Sequence, residues 1–158
     1  MITTWRIGTD TPDYTAEDLG GIGAKTTGGR WNRKGTALVY TASSRALACL
    51  ETIVHLSAGG LPLNRYLVRF EIPNVVWAKR QTLTDKTVPV GWDALPAGKV
   101  SLDIGDQWVS SGASCIFEVP SSIVSEELNI LINPAHPDAA KIVAVKVRKW
   151  QYDARIKP

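Results

Sequence analysis

Residues 36–57, TALVYTASSRALACLETIVHLS, decide the fold class of this chain. The β-branched and aromatic content of residues 36–41 predicts a short strand. Ser43 or Ser44 can cap a following helix, which we expect to reach about Ser57 and to stop at Gly59-Gly60. A strand that feeds directly into one helix, in a chain with few other helical patterns, indicates the α+β class.

Strand patterns dominate the rest of the chain. Residues 9–35 are rich in Gly, Thr and Asp and are predicted to form one long loop, a feature that is often functional. A second helix is predicted over residues 100–111, and residues 81–99 are predicted to be irregular. The other expected strands cover residues 5–7, 63–72, 75–77, 114–119, 128–132, 141–147 and 152–156. This order predicts a single domain over residues 1–158, with mixed small sheets and few helices.

Composition and charge exclude several classes of function. The formal charge of +3 arises from 18 Lys and Arg against 15 Asp and Glu, with no basic run that would follow a nucleic-acid backbone. We therefore expect no direct DNA binding. The N-terminus lacks a signal-peptide layout, and no apolar run approaches the roughly 20 residues that span a bilayer, so we expect a cytoplasmic protein that does not bind a membrane.

Metal and phosphate motifs are also absent from the sequence. Cys49 and Cys115 lie in apolar stretches without C-x-x-C spacing, so we expect buried free thiols and no metal site. Residues 21–26, GIGAKT, resemble a phosphate-binding loop, but Ala24 stands where the glycine before the lysine belongs. We reject that motif.

The segment Gly28-Gly29-Arg30-Trp31-Asn32 is a candidate anion site. Paired glycines allow backbone conformations that expose amide groups, and an arginine fork suits a phosphate or a carboxamide. The alternative is a surface turn with a solvated arginine and a packed tryptophan, and the pattern alone favours that alternative.

Glu51 borders the apolar face of the predicted helix. A carboxylate at such an edge can be partly desolvated, or it can be an exposed residue that pairs with Arg45 or His55. Periodicity alone favours the exposed residue. Tyr40 can stack on a flat ligand or belong to the core. Ser121 and Ser122 can donate hydrogen bonds in a cleft or form a turn, and a Ser–His pair with His136 lacks the G-x-S-x-G motif.

Taken together, these segments resemble the RES domain, a family named for its Arg, Glu and Ser. The resemblance covers nearly the whole chain in the same order. It is carried by residues 28–32 with Gly35, residues 39–42 and 46–51, Gly105 with Asp106 and Trp108, and residues 119–124 continuing to Asn129 and to residues 133–137. Ser125 departs from the family pattern at a turn where many relatives have proline.

The resemblance implies a fold like that of ADP-ribosylating toxins and a site built from Arg30, Glu51 and Ser121, with Ser122 as the fallback serine. It implies that Tyr40, Trp31, Gly29 and Asn32 bind the substrate. It further implies the toxin of a bacterial toxin–antitoxin pair, which cleaves NAD at the nicotinamide–ribose bond and depletes it by hydrolysis or phosphorolysis. No metal and no cofactor other than NAD as the substrate is expected.

Two other functions fit the same residues. One is an ADP-ribosyltransferase that modifies a protein target, and the other is a non-catalytic binding module. The family resemblance also implies a partner, an Xre-type antitoxin, in a hetero-oligomer that blocks the pocket around Arg30 and Glu51. Any contact with DNA is then expected to come from the antitoxin.

Overall fold

The computed structural model describes residues 1–57 and 59–156. Within these residues, seven strands form one sheet and four α-helices with one 3₁₀ helix connect or cover it. The strands are β1 Ile2–Thr9, β2 Val39–Ala42, β3 Arg65–Ile72, β4 Gln81–Thr82, β5 Ile116–Pro120, β6 Leu128–Ile132 and β7 Val143–Lys149. The helices are α1 Ile22–Thr27, α2 Arg45–Ile53, α3 Asn74–Trp77, α4 Lys99–Ser111 and the 3₁₀ helix Pro137–Lys141.

The sheet has a weak seam at its centre. Its strand order is β4-β5-β6-β2-β1-β3-β7, and every neighbouring pair is antiparallel except β4 with β5. β1 and β2 meet through the single register pair of Trp5 with Ala42, whereas β1 pairs with β3 along its whole length. Beyond that pair the two strands separate, and the sheet opens into a wedge.

Two helices cover one face of the sheet. Directly paired residues point to the same side, and side chains alternate along each strand. The registers therefore put Trp5, Tyr40, Ala42, Val119 and Asn129 on one face, called here the front face. α2 packs there over the β1 side, and α4 packs over the β5 side. Tyr40 and Asn129 of the site described below lie on this face, whereas Arg6, which follows Trp5 in β1, points to the opposite face.

The opposite face carries the largest cluster of buried apolar residues. Its buried members come from several strands and from the segments that cross behind the sheet, and they include Val39, Val68, Phe70, Ile116 and Ile130. Burying side chains of this size contributes roughly 1.5–3 kcal/mol each relative to leaving them exposed. This cluster makes the sheet a rigid support for the front face.

Several sequence predictions are confirmed. The α+β class is correct, and Ser44 caps α2 by accepting a hydrogen bond from the Leu47 N–H at 3.1 Å. The second predicted helix and the strand over residues 128–132 are present as α4 and β6. The strands join one sheet of seven, however, and not several small sheets.

Other element predictions are wrong. The predicted loop over residues 9–35 contains α1, and α2 ends at Ile53, with the exposed Val54 as its C-cap. Residues 75–77 form part of α3, in which Val76 is buried while Val75 is exposed, so a short apolar run did not distinguish helix from strand. Residues 81–99 include β4. Residues 152–156 form no strand; the Tyr152 hydroxyl is hydrogen-bonded to Thr52 of α2.

None of the helices in the described residues has the length and apolar character required to cross a bilayer.

Candidate active site

Glu51 is held from two sides by side chains that are distant in sequence. It lies in the last turns of α2 and is half-buried. Its Oε1 accepts a hydrogen bond from Ser121 Oγ at 2.7 Å and another from Asn129 Nδ2 at 2.9 Å. Both donors act on the same oxygen, and no side-chain partner for Oε2 is recorded among the described residues. The carboxylate is therefore fixed in orientation, with its second oxygen available.

Ser121 is positioned by backbone amides. It directly follows β5 and is fully buried. Its Oγ accepts hydrogen bonds from the N–H groups of Ile123 at 3.1 Å and Val124 at 3.2 Å. These two bonds occupy the acceptor sites of the hydroxyl, so its single proton is directed to Glu51. Ser122, in contrast, is exposed and makes no side-chain hydrogen bond in the described part of the chain.

Tyr40 fastens the glycine-rich loop to the front face. Its hydroxyl donates to Asn32 Oδ1 at 2.6 Å and accepts from the Trp31 N–H at 2.9 Å. A Cβ at Gly29 would lie 2.6 Å from this hydroxyl oxygen, so the close approach requires glycine there. Burial raises the pKa of the Tyr40 hydroxyl above its ordinary value, which keeps it protonated as a donor.

Arg30 links that loop to the segment before α4. Its Nη1 donates to the carbonyl oxygens of Trp92 and Ala94, both at 3.0 Å. The neighbouring Trp31 ring stacks on Trp92 with ring centroids 6.0 Å apart. Arg30 itself is half-buried, and no acceptor is recorded for its Nε or Nη2 in the described residues. Part of the guanidinium is thus free to meet an anion.

Trp31 and Asn32 are buried, with exposed fractions of 1% and 0%. The Asn32 amide donates to the carbonyl oxygens of Ala24 and Thr36, so it holds the loop together. In this structure both side chains support the loop. Their contact with a substrate stays a prediction, as do the substrate contacts of Tyr40 and Gly29.

The register of β2 relates the two parts of the site. Tyr40 pairs with Leu131 and Ala42 pairs with Asn129, so Tyr40 and Asn129 are diagonal neighbours on the front face. Such neighbours lie roughly 7–8 Å apart. Glu51 is hydrogen-bonded to one of them, and the loop that carries Arg30 is hydrogen-bonded to the other.

A cavity of about 200 Å³ occupies the wedge between β1 and β2. Tyr40 and Leu38 line it on one side and Ile7 on the other, together with Tyr14. The Arg6 side chain also lines it, and burial lowers the pKa of its guanidinium to about 10. The group is still a cation at neutral pH. Tyr40 therefore forms part of the wall of this cavity.

Arg6 and Asn129 were missed as site residues by sequence reasoning. Arg6 stacks on the Phe70 ring at 5.1 Å and donates to the carbonyl oxygens of Ala16 and Asp18. The sequence held a signal for each residue. Arg6 interrupts the apolar residues 5–7, WRI, and Asn129 interrupts the apolar residues 128–132, LNILI. Neither pattern could say what the side chain would meet.

The plainer interpretation of Glu51 is wrong. Arg45 does not pair with it, since its guanidinium stacks 3.8 Å from the centroid of the Trp5 ring. His55 is exposed beyond the end of α2. His136 Nδ1 accepts the Asp138 N–H at 3.0 Å and caps the 3₁₀ helix, so that nitrogen is engaged away from Ser121.

The two thiols are free, and only one is buried. Cys115 is buried, and Cys49 is half-buried. Burial raises the pKa of both thiols, that of Cys115 to about 11.

Fold and site together define a single-sheet α+β protein with a carboxylate held by two side-chain donors and a separate cavity lined by a half-buried arginine. A family model described as the RES domain matches residues 3–155. The chain belongs to the RES-domain family, which confirms the resemblance seen in the sequence.

Named relatives cover nearly the whole chain. It is 62% identical over 152 residues to the "Prs ADP-ribosylating toxin" of Sphingobium sp., covering 96% of this chain and 94% of that protein. It is 37% identical over 145 residues to "Toxin Res" of Yersinia enterocolitica, covering 91% and 93%.

A solved structure shares the fold. It is a chain from the M. tuberculosis MbcT–MbcA toxin–antitoxin complex, similar with a TM-score of 0.64 and 15% sequence identity. The match covers 93% of this chain and 84% of that chain. It confirms the fold class.

Proposed function

We propose that this chain is the toxin of a toxin–antitoxin pair and that it cleaves NAD at the bond between nicotinamide and ribose. The observation that carries the proposal is the Glu51 carboxylate, held through Oε1 by Ser121 and Asn129 with Oε2 unengaged among the described residues. Breaking this glycosidic bond places positive charge on the ribose ring, as in an oxocarbenium-like transition state. A preoriented carboxylate stabilises that charge more strongly than water does.

Two cations fit the charge of a dinucleotide. Arg6 lines the wedge cavity, and Arg30 in the glycine-rich loop keeps part of its guanidinium without a recorded partner among the described residues. A guanidinium binds a phosphate oxygen pair in a planar fork. We assign the pyrophosphate to these two arginines and stacking on the nicotinamide ring to Tyr40, whose ring lines the same cavity.

The reaction breaks one bond at the ribose and forms another to the acceptor. The C1′–N bond breaks, and its electron pair neutralises the pyridinium nitrogen of the leaving nicotinamide. An oxygen or nitrogen nucleophile then bonds to C1′ and loses its proton. Water gives ADP-ribose, inorganic phosphate gives its 1″-phosphate ester, and a protein gives an ADP-ribosylated side chain.

The named relative favours a protein acceptor. The Sphingobium protein, 62% identical to this chain, is named for ADP-ribosylating Prs. We therefore place transfer to the host's own Prs first, and depletion of NAD through water or phosphate second. Both begin with the release of nicotinamide.

The test is incubation of the purified chain with NAD, alone, with inorganic phosphate, and with purified Prs. Chromatography measures nicotinamide, and mass spectrometry identifies the product. A mass increase of Prs by one ADP-ribose supports transfer, and free ADP-ribose or its phosphate ester supports depletion. If no nicotinamide is released under any of these conditions, the proposed function is wrong, and a non-catalytic binding module becomes the better explanation.

Glu51→Gln is the decisive variant. It keeps an oxygen that can accept the bonds from Ser121 and Asn129 but removes the charge, so kcat should fall about 10²- to 10³-fold while the fold is retained. Glu126→Gln is the matched control, because Glu126 is exposed beyond the site and should keep full activity. Equal activity of Glu51→Gln and wild type would show that the site is wrongly assigned.

The partner under this proposal is an antitoxin of the Xre type. The similar solved structure comes from a toxin–antitoxin complex, which supports such a partner. We expect the antitoxin to cover the region around Arg30 and Glu51 and to suppress nicotinamide release. A structure of the pair in which this region is open to solvent would contradict direct occlusion.

A further inference from the structure

We infer that Asn129 is a positioning residue, which orients the Glu51 carboxylate for cleavage of NAD. This inference rests on the proposed function. Asn129 is the first front-face residue of β6, and its Nδ2 donates to Glu51 Oε1 at 2.9 Å. No other residue of β6 hydrogen-bonds to Glu51 among the described contacts.

The orientation of the Asn129 amide follows from its neighbour. A carboxylate oxygen is only an acceptor, so the NH₂ group must face Glu51 and the carbonyl oxygen must point away. That oxygen, Oδ1, is buried and has no hydrogen-bond partner among the described residues. A buried polar atom without a partner is unfavourable for the folded state. The amide thus keeps an arrangement that serves Glu51 at the expense of its own oxygen.

Two donors are needed to fix the carboxylate plane. With Ser121 as the only donor, the Glu51 carboxylate could pivot about Oε1. One hydrogen bond fixes the position of that oxygen but not the orientation of the carboxylate group. With Asn129 added from another strand, Oε1 is held between two fixed donors. Oε2 has no hydrogen-bond partner among the described residues, so it is the oxygen that remains for the substrate. Misplacement of a reacting group by about 1 Å can cost about 10²-fold in rate.

The first test is Asn129→Ala in the full-length chain, with nicotinamide release as the readout. We expect kcat to fall about 10²-fold with little change in the KM for NAD, because Glu51 remains present but loses its fixed orientation. The melting temperature should change little, since the variant also removes the unpaired Oδ1.

Asn133→Ala is the matched control. Asn133 follows the other end of β6, is buried, and its side chain bonds only to backbone groups of Val109 and Ala135 among the described residues. Its replacement should lower the melting temperature and leave kcat per folded molecule unchanged. The two variants are thus expected to show opposite patterns.

Asn129→Asp tests the positioning role through the pH dependence of activity, which a purely structural role would not change. The introduced carboxyl group lies against Glu51, and two adjacent carboxyl groups share a proton, which raises one pKa. In its protonated form the introduced group carries an O–H that can replace the lost donor. The activity of Asn129→Asp relative to wild type should therefore rise as the pH is lowered from about 8 to about 5, which is the range in which such a pair titrates.

The outcomes separate the inference from the proposed function. If wild type releases nicotinamide and Asn129→Ala retains its kcat, the inference is overturned and the proposed function stands. If wild type releases none from NAD, both are overturned. A lower kcat for Asn129→Ala together with a pH-independent activity ratio for Asn129→Asp would reduce Asn129 to a packing role and also overturn the inference.

Discussion

Ser121 Oγ lies 2.7 Å from Glu51 Oε1, although the two residues are 70 positions apart in the chain. The contact joins the end of β5 to the last turns of α2 across the front face of the sheet. Because the hydroxyl also accepts two backbone N–H groups, it donates its only proton to the carboxylate. Of the two adjacent serines, Ser121 is the one that contacts Glu51, whereas Ser122 is exposed.

Ser121→Ala should therefore differ sharply from Ser122→Ala. The first leaves the N–H groups of Ile123 and Val124 without their acceptor and removes a donor from Glu51. We expect a loss of about 1–3 kcal/mol in the free energy of unfolding and a clear fall in kcat. Ser122 is exposed, and its replacement should change neither. Chemical denaturation and nicotinamide release measure the two effects, and equal behaviour of the variants would contradict the assignment.

The sequence predicted the elements that depend on local patterns. Ser44 and the apolar stripe of α2 were readable because a cap and a helical period involve residues within a few positions of each other. The α+β class followed from the same reasoning. The helical state of Val75 and Val76 was not readable, because three apolar residues fit either period.

The site was predicted as a set of residues and not as a geometry. Glu51 was interpreted from its helix neighbours alone, whereas its partners Ser121 and Asn129 are 70 and 78 positions away. The wedge cavity depends on the separation of β1 from β2 after the pair of Trp5 with Ala42. Strand separation of this kind is a tertiary property, and no period in the sequence encodes it.

Tyr40→Phe should destabilise the loop that carries Arg30. The Tyr40 hydroxyl serves both the Trp31 N–H and Asn32 Oδ1, and Asn32 is fully buried. Leaving such groups unpaired costs about 1–3 kcal/mol, which lowers the melting temperature of a chain of this size by about 2–4 °C per kcal/mol. Calorimetry measures the change, and an unchanged melting temperature would contradict this role of the hydroxyl.

The effect of Tyr40→Phe on the free energy of unfolding should depend on pH in alkaline solution. Burial raises the folded-state pKa of Tyr40 above its ordinary value of 10.0, so the unfolded chain loses this proton first as the pH rises. The contribution of Tyr40 to stability is therefore complete below about pH 10 and declines above it. The difference in unfolding free energy between wild type and Tyr40→Phe should shrink above that pH. The other ionisable groups are common to both proteins and cancel in the difference.

Gly105→Ala should disrupt the contact between α4 and the glycine-rich loop. A Cβ at Gly105 would lie 1.7 Å from the carbonyl oxygen of Trp31, and this neighbour is backbone. Alanine improves helix propensity by about 1 kcal/mol, but the clash forces the loop or the helix to move and should cost more. We expect a net loss of stability and of nicotinamide release. Gln107→Ala, at an exposed position of the same helix, is the control and should keep both.

Arg30→Lys tests whether this guanidinium serves both the loop and the substrate. Arg30 uses Nη1 for the carbonyl oxygens of Trp92 and Ala94, which leaves its other nitrogens for an anion. A lysine ammonium has its three N–H donors on one nitrogen, so it cannot bind this loop and a phosphate oxygen pair with the planar geometry of a guanidinium.

For Arg30→Lys, the KM for NAD should therefore rise, and the segment around Trp92 should become more sensitive to limited proteolysis. Arg155→Lys, an exposed residue whose recorded ion pair is with Asp153, is the matched control and should match wild type in both assays. A raised KM with an unchanged proteolysis pattern would assign Arg30 to the substrate alone, because the loop would then be held without it. An altered pattern with an unchanged KM would assign it to the loop alone.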